Sequence, residues 1–352
     1  MEYQKGHSTS TKGNYYPIII NYIIYIIYTV YIIYIVYVRY SIYTIYIFYI
    51  RYIIYTMYII YINYILTFSN YMILYKLYNI YKLYNLYKKG VRKKMKIITL
   101  ANQKGGCGKT TTSHTLATGL CNRGYKVLAV DCDPQCNFST VFDLKVSKDQ
   151  LTLYDVLNKQ ADIGKAKITI HEGLDIIQGD LMLCDADRKF TKIGSEFMLK
   201  EALEPISDYD FVVIDTAPSL GILTVNALVA ADCLIIPMTP DYFSFKGLEQ
   251  LKDNIQSVKK YCNPKLKVSG LLLTRCDRTG LTGMMKEDIT TAAESMGTKV
   301  FLSTIRQGVA IRESQFLKSD IFKESPRAAV TQEYSNFIDE FLESEELSNG
   351  NR

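Results

Sequence analysis

The chain has 352 residues, 48% hydrophobic and 22% charged, with a net charge of +6. That length allows one large domain or two ordinary ones. The charge excludes nothing by itself, because two compositions meet near Met95: residues 1–94 carry 11 basic side chains against one acid, and residues 95–352 carry 30 against 34. A basic, nucleic-acid-coated globule is therefore not what the sum indicates. All eight cysteines follow Met95 and none forms a CxxC pair. This pattern argues against a disulfide scaffold and points to a reducing cytosol.

From Tyr22 to Tyr64 tyrosine occupies every third position. A period of three matches neither the helical period of about 3.6 nor the strand period of 2. The apolar run 17–38 has the roughly 20 residues that a membrane crossing needs. Tyrosine, however, belongs at the membrane interface rather than along the span, and Arg39 and Arg51 interrupt the run. Isoleucine codons begin AT and tyrosine codons TA, so Tyr-Ile-Ile is what a short AT-rich DNA repeat encodes. The codons of "KKGVRKK", just before Met95, can hold a ribosome-binding site. The expectation is a low-complexity leader over 1–94, translated from repeat DNA, with the working protein beginning at Met95. A membrane anchor over 17–66 is the alternative.

Lys96–Ala101 is an apolar, β-branched run, read as a buried parallel strand. "KGGCGKTT" (Lys104–Thr111) follows, then an apolar helical pattern to about Cys121, stopped by Asn122-Arg123-Gly124. Strand, glycine loop and helix form the context a phosphate-binding loop requires. Gly105, Gly106 and Gly108, with Cys107 between them, let backbone N–H groups turn inward around phosphate oxygens. The helix start near Lys109 adds its positive dipole end. Lys109 is then placed to reach the β- and γ-phosphates of ATP, the Thr110 hydroxyl to bind Mg2+, and Thr111 to meet the α-phosphate.

A second strand, Lys126–Asp131, ends in "DCDPQCN". A third, Phe211–Ile214, delivers Asp215 at its C-terminal end within "DYDFVVIDTAPSLG". Strands at Leu234–Pro237, Val268–Leu273 and Val300–Leu302 are expected to alternate with helices that include Gly247–Lys260 and Met284–Met296. The class is α/β: a doubly wound, mostly parallel sheet flanked by helices, with nucleotide at the C-terminal strand edges.

These stretches resemble the ParA/Soj branch of the deviant-Walker P-loop ATPases, the ParA/MinD superfamily. The loop matches K-G-G-x-G-K-T, "DCDPQCN" is similar to D-x-D-P-Q-G-N, and "APSLG" closely matches the branch. The resemblance covers nearly all of 95–340 and implies a P-loop NTPase fold of the SIMIBI type over 95–345, with 346–352 a disordered tail. It implies catalytic roles for Lys104, Lys109 and Asp133. Lys104 reaches the nucleotide of a second subunit, and Asp133 orients the attacking water. Asp215 and Thr110 hold Mg2+, and residues 216–221 form switch II. "STIRQGVAIRES" (Ser303–Ser314) stands where relatives have I-P-R-N-V-R-L-S-E-A, so Arg306 and Gly308 replace a proline and an asparagine that line the adenine pocket. Cys107 stands for valine and Cys136 for glycine, and either is oxidation-sensitive if exposed.

The resemblance further implies an ATP-formed homodimer, non-specific DNA binding, and a ParB-like protein that stimulates hydrolysis, in a cytoplasmic, nucleoid-associated ATPase. Residues 246–327 carry 15 basic and nine acidic side chains, suiting a phosphate-neutralising surface. Arg275, Arg278, Lys286, Arg306, Arg312 and Lys318 are its candidates. A membrane-acting MinD relative needs a basic amphipathic helix at the C-terminus, whereas "FIDEFLESEELSNGNR" is acidic. Bacterial tyrosine kinases carry their tyrosine cluster C-terminally. Reductases that bridge an iron–sulfur cluster need a cysteine near 215–221, where there is none.

Overall fold

The computed structural model describes residues 20–30, 53–57, 95–145, 149–276 and 280–350. The chain divides into two compact units, Met1–Val91 with Glu345–Arg352, and Arg92–Ser344. In the first, 20–30 and 53–57 are helical. The period of three thus does not prevent local helix. It leaves the helix without a packing face, and every side chain of 20–30 is exposed. Eleven residues span about 17 Å, short of the ~30 Å hydrocarbon core. Among the described residues no helix is long and apolar enough to cross a membrane. Most of the proposed 17–66 anchor lies outside the described residues.

The second unit is built on a seven-stranded sheet in the order β3-β4-β2-β5-β1-β6-β7. The strands are β1 Lys96–Leu100, β2 Val127–Cys132, β3 Lys167–His171, β4 Leu174–Ile177, β5 Phe211–Thr216, β6 Cys233–Met238 and β7 Lys267–Leu273. All neighbours pair in parallel except β3 and β4. The central strands β2, β5 and β6 are buried at every position, as expected for strands covered on both faces.

Side chains alternate between two faces. On one, Ile98, Leu100, Val127, Ala129 and Val213 pack on Leu116 and Leu120 of α1 (Lys109–Asn122) and on Tyr334, Phe337 and Phe341 of the long helix Ala329–Gly350. On the other, Val130, Val212 and Ile214 meet Leu223 and Ala227 of α2 (Ile222–Ala230). Leu234, Ile236 and Leu273 meet Leu248, Leu251 and Ile255 of α3 (Tyr242–Tyr261).

Two expectations are corrected. The sequence reading contained no hairpin, yet β3 and β4 form an antiparallel edge pair. Its turn passes through Gly173 at φ +87, a conformation that favours glycine. The strand expected at Val300–Leu302 reduces to isolated bridges, Leu271 with Val300 and Cys276 with Arg306. The last helix runs to Gly350, past the 345 boundary expected for the domain. The helices expected at Gly247–Lys260 and Met284–Met296 are Tyr242–Tyr261 and Gly280–Ser295.

Candidate nucleotide site

The C-terminal ends of β1, β2 and β5 open onto one cavity of about 510 Å³, lined among others by Gly105, Gly108, Lys109, Thr110, Asp133 and Pro218. The loop after β1 is anchored from both sides. Asn102 accepts the Lys104 N–H at 3.1 Å and donates to the Pro237 carbonyl at 2.8 Å. Thr274 donates to the Cys107 carbonyl at 2.8 Å. Gly108, at φ 85, is the N-cap of α1, and a side chain there is strained. A Cβ on Gly105 meets nothing within 4 Å, so the loop's open flank has room for a ligand.

Lys109 is buried, and its Nζ donates to the Lys104 carbonyl at 3.1 Å. The amine is thereby folded over the loop it serves. The Thr110 hydroxyl donates to Asp215 Oδ2 at 2.7 Å and the Ser113 hydroxyl to Asp215 Oδ1 at 2.8 Å. Ser113 is three residues beyond Thr110, so both hydroxyls lie on one face of α1. Asp215 is fully buried. Burial first, and then the charge of Asp131, raise its carboxyl to about 7, against the opposing pull of Thr110, Ser113 and Lys109.

Asp131 is also fully buried and rises to about 6, mainly through burial. It accepts the Ser139 N–H at 2.8 Å and hydroxyl at 2.7 Å, and the Asp133 N–H at 3.1 Å. Asp133 faces the cavity and accepts the Gln135 N–H at 2.9 Å, which fixes its side chain.

Two buried carboxylates raised mainly by burial, with Asp131 adding to the shift of Asp215, form a site short of positive charge, and a bound cation corrects that. Among the described residues no cluster of three or more protein ligands surrounds a metal position. One or two protein oxygens completed by phosphate and water is how Mg2+ is commonly held. The residues present fit MgATP: Thr110 and Asp215 at the metal, and the glycine loop with Lys109 at the phosphates.

Lys104 pairs with Asp241 of its own chain, Nζ to Oδ2 at 2.5 Å, and reaches Thr239 Oγ1 at 3.2 Å. Hydrogen bonds from Lys104, Thr239 and the Ser244 N–H overcome the effect of burial and hold the Asp241 carboxyl at about 2. Thr111 accepts from Gln315 Nε2 at 3.0 Å. Arg306 and Gly308 line the cavity, and the Arg306 Nε is drawn to Glu333 Oε1 at 2.5 Å.

The cysteines answer the oxidation question. Cys107 is fully buried, and burial raises its thiol pKa. Cys136 is half-buried, and burial with the nearby aspartates pushes it up to about 12. Both stay thiols at neutral pH, the unreactive form. Cys136 has φ 54, which explains why glycine suits this position.

Of the basic candidates, Arg275 lies against the phosphate loop, donating from Nη1 to the Gly106 carbonyl at 2.8 Å. Arg312 lines the cavity, and Lys318 pairs with Asp143. Arg278 and the side chain of Lys286 lie outside the described residues. The sequence reading missed Ser113, Ser139, Asp241, Gln315 and Glu333. Only Ser113, at helical spacing from Thr110, left a signal in the local sequence.

A family model described as an AAA domain matches residues 95–268. The sporulation initiation inhibitor protein Soj of Bacillus subtilis (strain 168) is 36% identical over 249 residues, covering 70% of this chain and 97% of the relative. The chromosome partitioning protein ParA of Caulobacter vibrioides (strain NA1000 / CB15N) is 34% identical over 257 residues, covering 71% and 95%. Among solved structures, cobyrinic acid a,c-diamide synthase from Mycobacterium smegmatis with bound ADP and magnesium superposes with a TM-score of 0.62 at 28% identity, covering 72% of this chain and 96% of that one.

Proposed function

The chain belongs to the ParA/Soj family of P-loop ATPases, and from that premise we propose an ATP-gated cycle of dimerisation and DNA binding. It is a partitioning ATPase that uses ATP and Mg2+. The domain that carries this cycle is 95–345, with residues 1–94 dispensable for it.

One observation carries the reading. The Thr110–Asp215 hydrogen bond, 2.7 Å long, closes the foot of a glycine loop whose cavity is also lined by Lys109 and Asp133. That combination suits a loop that grips phosphates, a base of hydroxyl and carboxylate, and a side chain to position water. Bound Mg2+ supplies neutralisation of the phosphate charge. Lys109 turns from the Lys104 carbonyl to the β- and γ-phosphates. Asp133, fixed by the Gln135 N–H, accepts a hydrogen bond from the attacking water and orients it. Positioning of this kind is most of what phosphoryl transfer asks of a protein.

Lys104 leaves Asp241 to engage the nucleotide of a second copy, which makes ATP binding and dimerisation one event. The dimer binds DNA non-specifically through the basic 246–327 segment, with Arg275, Arg278, Lys286 and Arg312 among its contacts. Arg275 holds the Gly106 carbonyl, so this surface is tied to the phosphate loop. A ParB-like partner stimulates hydrolysis and releases the DNA, and the ATP-bound protein is nucleoid-associated.

Sedimentation of the full chain with MgATP tests the coupling. The wild type shifts to a dimer, and Lys104→Gln binds MgATP yet stays monomeric and does not retard DNA. A normal ATP dimer of Lys104→Gln refutes the cross-subunit role.

A further inference from the structure

The cavity wall opposite the glycine loop is an incomplete eighth strand. Phe301 and Ile305 donate to the carbonyls of Leu271 and Leu273 on β7, at 2.9 and 2.8 Å. The intervening backbone turns away, and its amides are taken by side chains of the last helix. Glu340 accepts the Leu302 N–H at 2.8 Å through Oε1 and the Ser303 N–H at 2.9 Å through Oε2. Glu333 accepts the Arg306 N–H at 2.8 Å through Oε2 and the Arg306 Nε at 2.5 Å through Oε1.

The two glutamates are seven residues apart, two helical turns, so both project along one stripe of the helix. The adjacent face carries Tyr334, which lines the cavity and exchanges a hydrogen bond with Thr112 at 3.2 Å. Below it, Phe337 meets Phe301 edge-on at 5.0 Å. The stripe therefore fixes 301–308 against the sheet through apolar contacts underneath and charged hydrogen bonds above.

Ile305, Arg306, Gln307 and Gly308 form the cavity wall away from the phosphate loop. We propose that Glu333 and Glu340 are positioning residues for recognition of the nucleotide base. Glu340 holds the backbone at 302 and 303 that leads into this wall, and Glu333 holds the Arg306 N–H within it and draws the Arg306 guanidinium aside. The inference rests on the reading of this cavity as the ATP site. It assigns base selection to a helix remote in sequence from every phosphate-site motif.

The test is calorimetric titration of the full chain with MgATP and, separately, with magnesium tripolyphosphate, which has no base. Glu333→Gln and Glu340→Gln each weaken MgATP about tenfold, the scale of one lost charge-assisted hydrogen bond. Both bind tripolyphosphate as the wild type does. Arg306→Ala, which removes the side-chain link to Glu333 together with a group on the cavity wall, moves MgATP affinity the same way by about threefold, the scale of one weaker hydrogen bond. It leaves tripolyphosphate unchanged and keeps the test open if a glutamate variant fails to fold. Unchanged MgATP affinity in these variants overturns the inference. So does an equal loss for both ligands, which marks a general structural effect. Lys109→Ala serves as the control and loses both ligands. If it keeps both, the phosphate-site reading fails and the inference falls with it.

Discussion

Replacing Asp215 by asparagine removes a charge that the protein without metal holds at a cost. Burial and the neighbouring Asp131 raise this carboxyl from 3.8 to about 7. A raised carboxyl contributes stability that is fully present below the unfolded value and is lost as pH climbs through the folded one. Above pH 7 the full gap applies, worth about 4 kcal/mol in the fully buried setting of Asp215. At pH 5 the loss amounts to about 1.5 kcal/mol. Asp215→Asn keeps the shape and can still bond Thr110 and Ser113, so in metal-free buffer it gains about those amounts. For a domain of this size the gain raises the thermal midpoint by about 10 °C at pH 8 and about 4 °C at pH 5. Mg2+ with ATP stabilises the wild type and does not stabilise the variant. Scanning calorimetry at the two pH values, with and without MgATP, measures all of this. A gain no larger at pH 8 than at pH 5 refutes the electrostatic argument.

Three further outcomes are expected. Asp133→Ala leaves ATP-dependent dimerisation intact and stops hydrolysis, and normal phosphate release in a turnover assay removes its water-orienting role. Gly108→Ala imposes a side chain at φ 85 with Thr274 atoms 3.6 Å from its Cβ. It destabilises by about 1–2 kcal/mol and weakens MgATP binding, both checked by denaturant melts and titration. Cys136→Gly relieves the left-handed conformation at φ 54 and stabilises by about 1 kcal/mol, while an unchanged or lower melting midpoint contradicts that account.

The phosphate site was legible because its determinants are contiguous. Lys104–Thr111 needs only a strand before it and a helix after it, and local sequence specifies both. Asp215 was legible because it follows an apolar run read as a buried strand, and Asp133 through the resemblance of "DCDPQCN" to the family motif. The edge hairpin was missed because β3 alternates exposed and half-buried residues and has no run of apolar residues. The Val300–Leu302 strand stops at Phe301 because the next two amides, of Leu302 and Ser303, find the Glu340 carboxylate on another helix instead of a neighbouring strand, a choice invisible along the chain.

The sequence by itself determined the sheet class, the glycine loop, and the positions of Thr110 and Asp215 at the ends of their elements, since apolar periodicity and local turn chemistry decide these over a few residues. Tertiary structure alone decided the partners: Lys104 with Asp241, Asp215 with Ser113 and Asp131, and Arg306 with Glu333. Ion pairs and pKa shifts depend on distance and burial. Both are set when segments more than a hundred residues apart, such as Asp215 and Thr110, are brought together by packing on a common sheet.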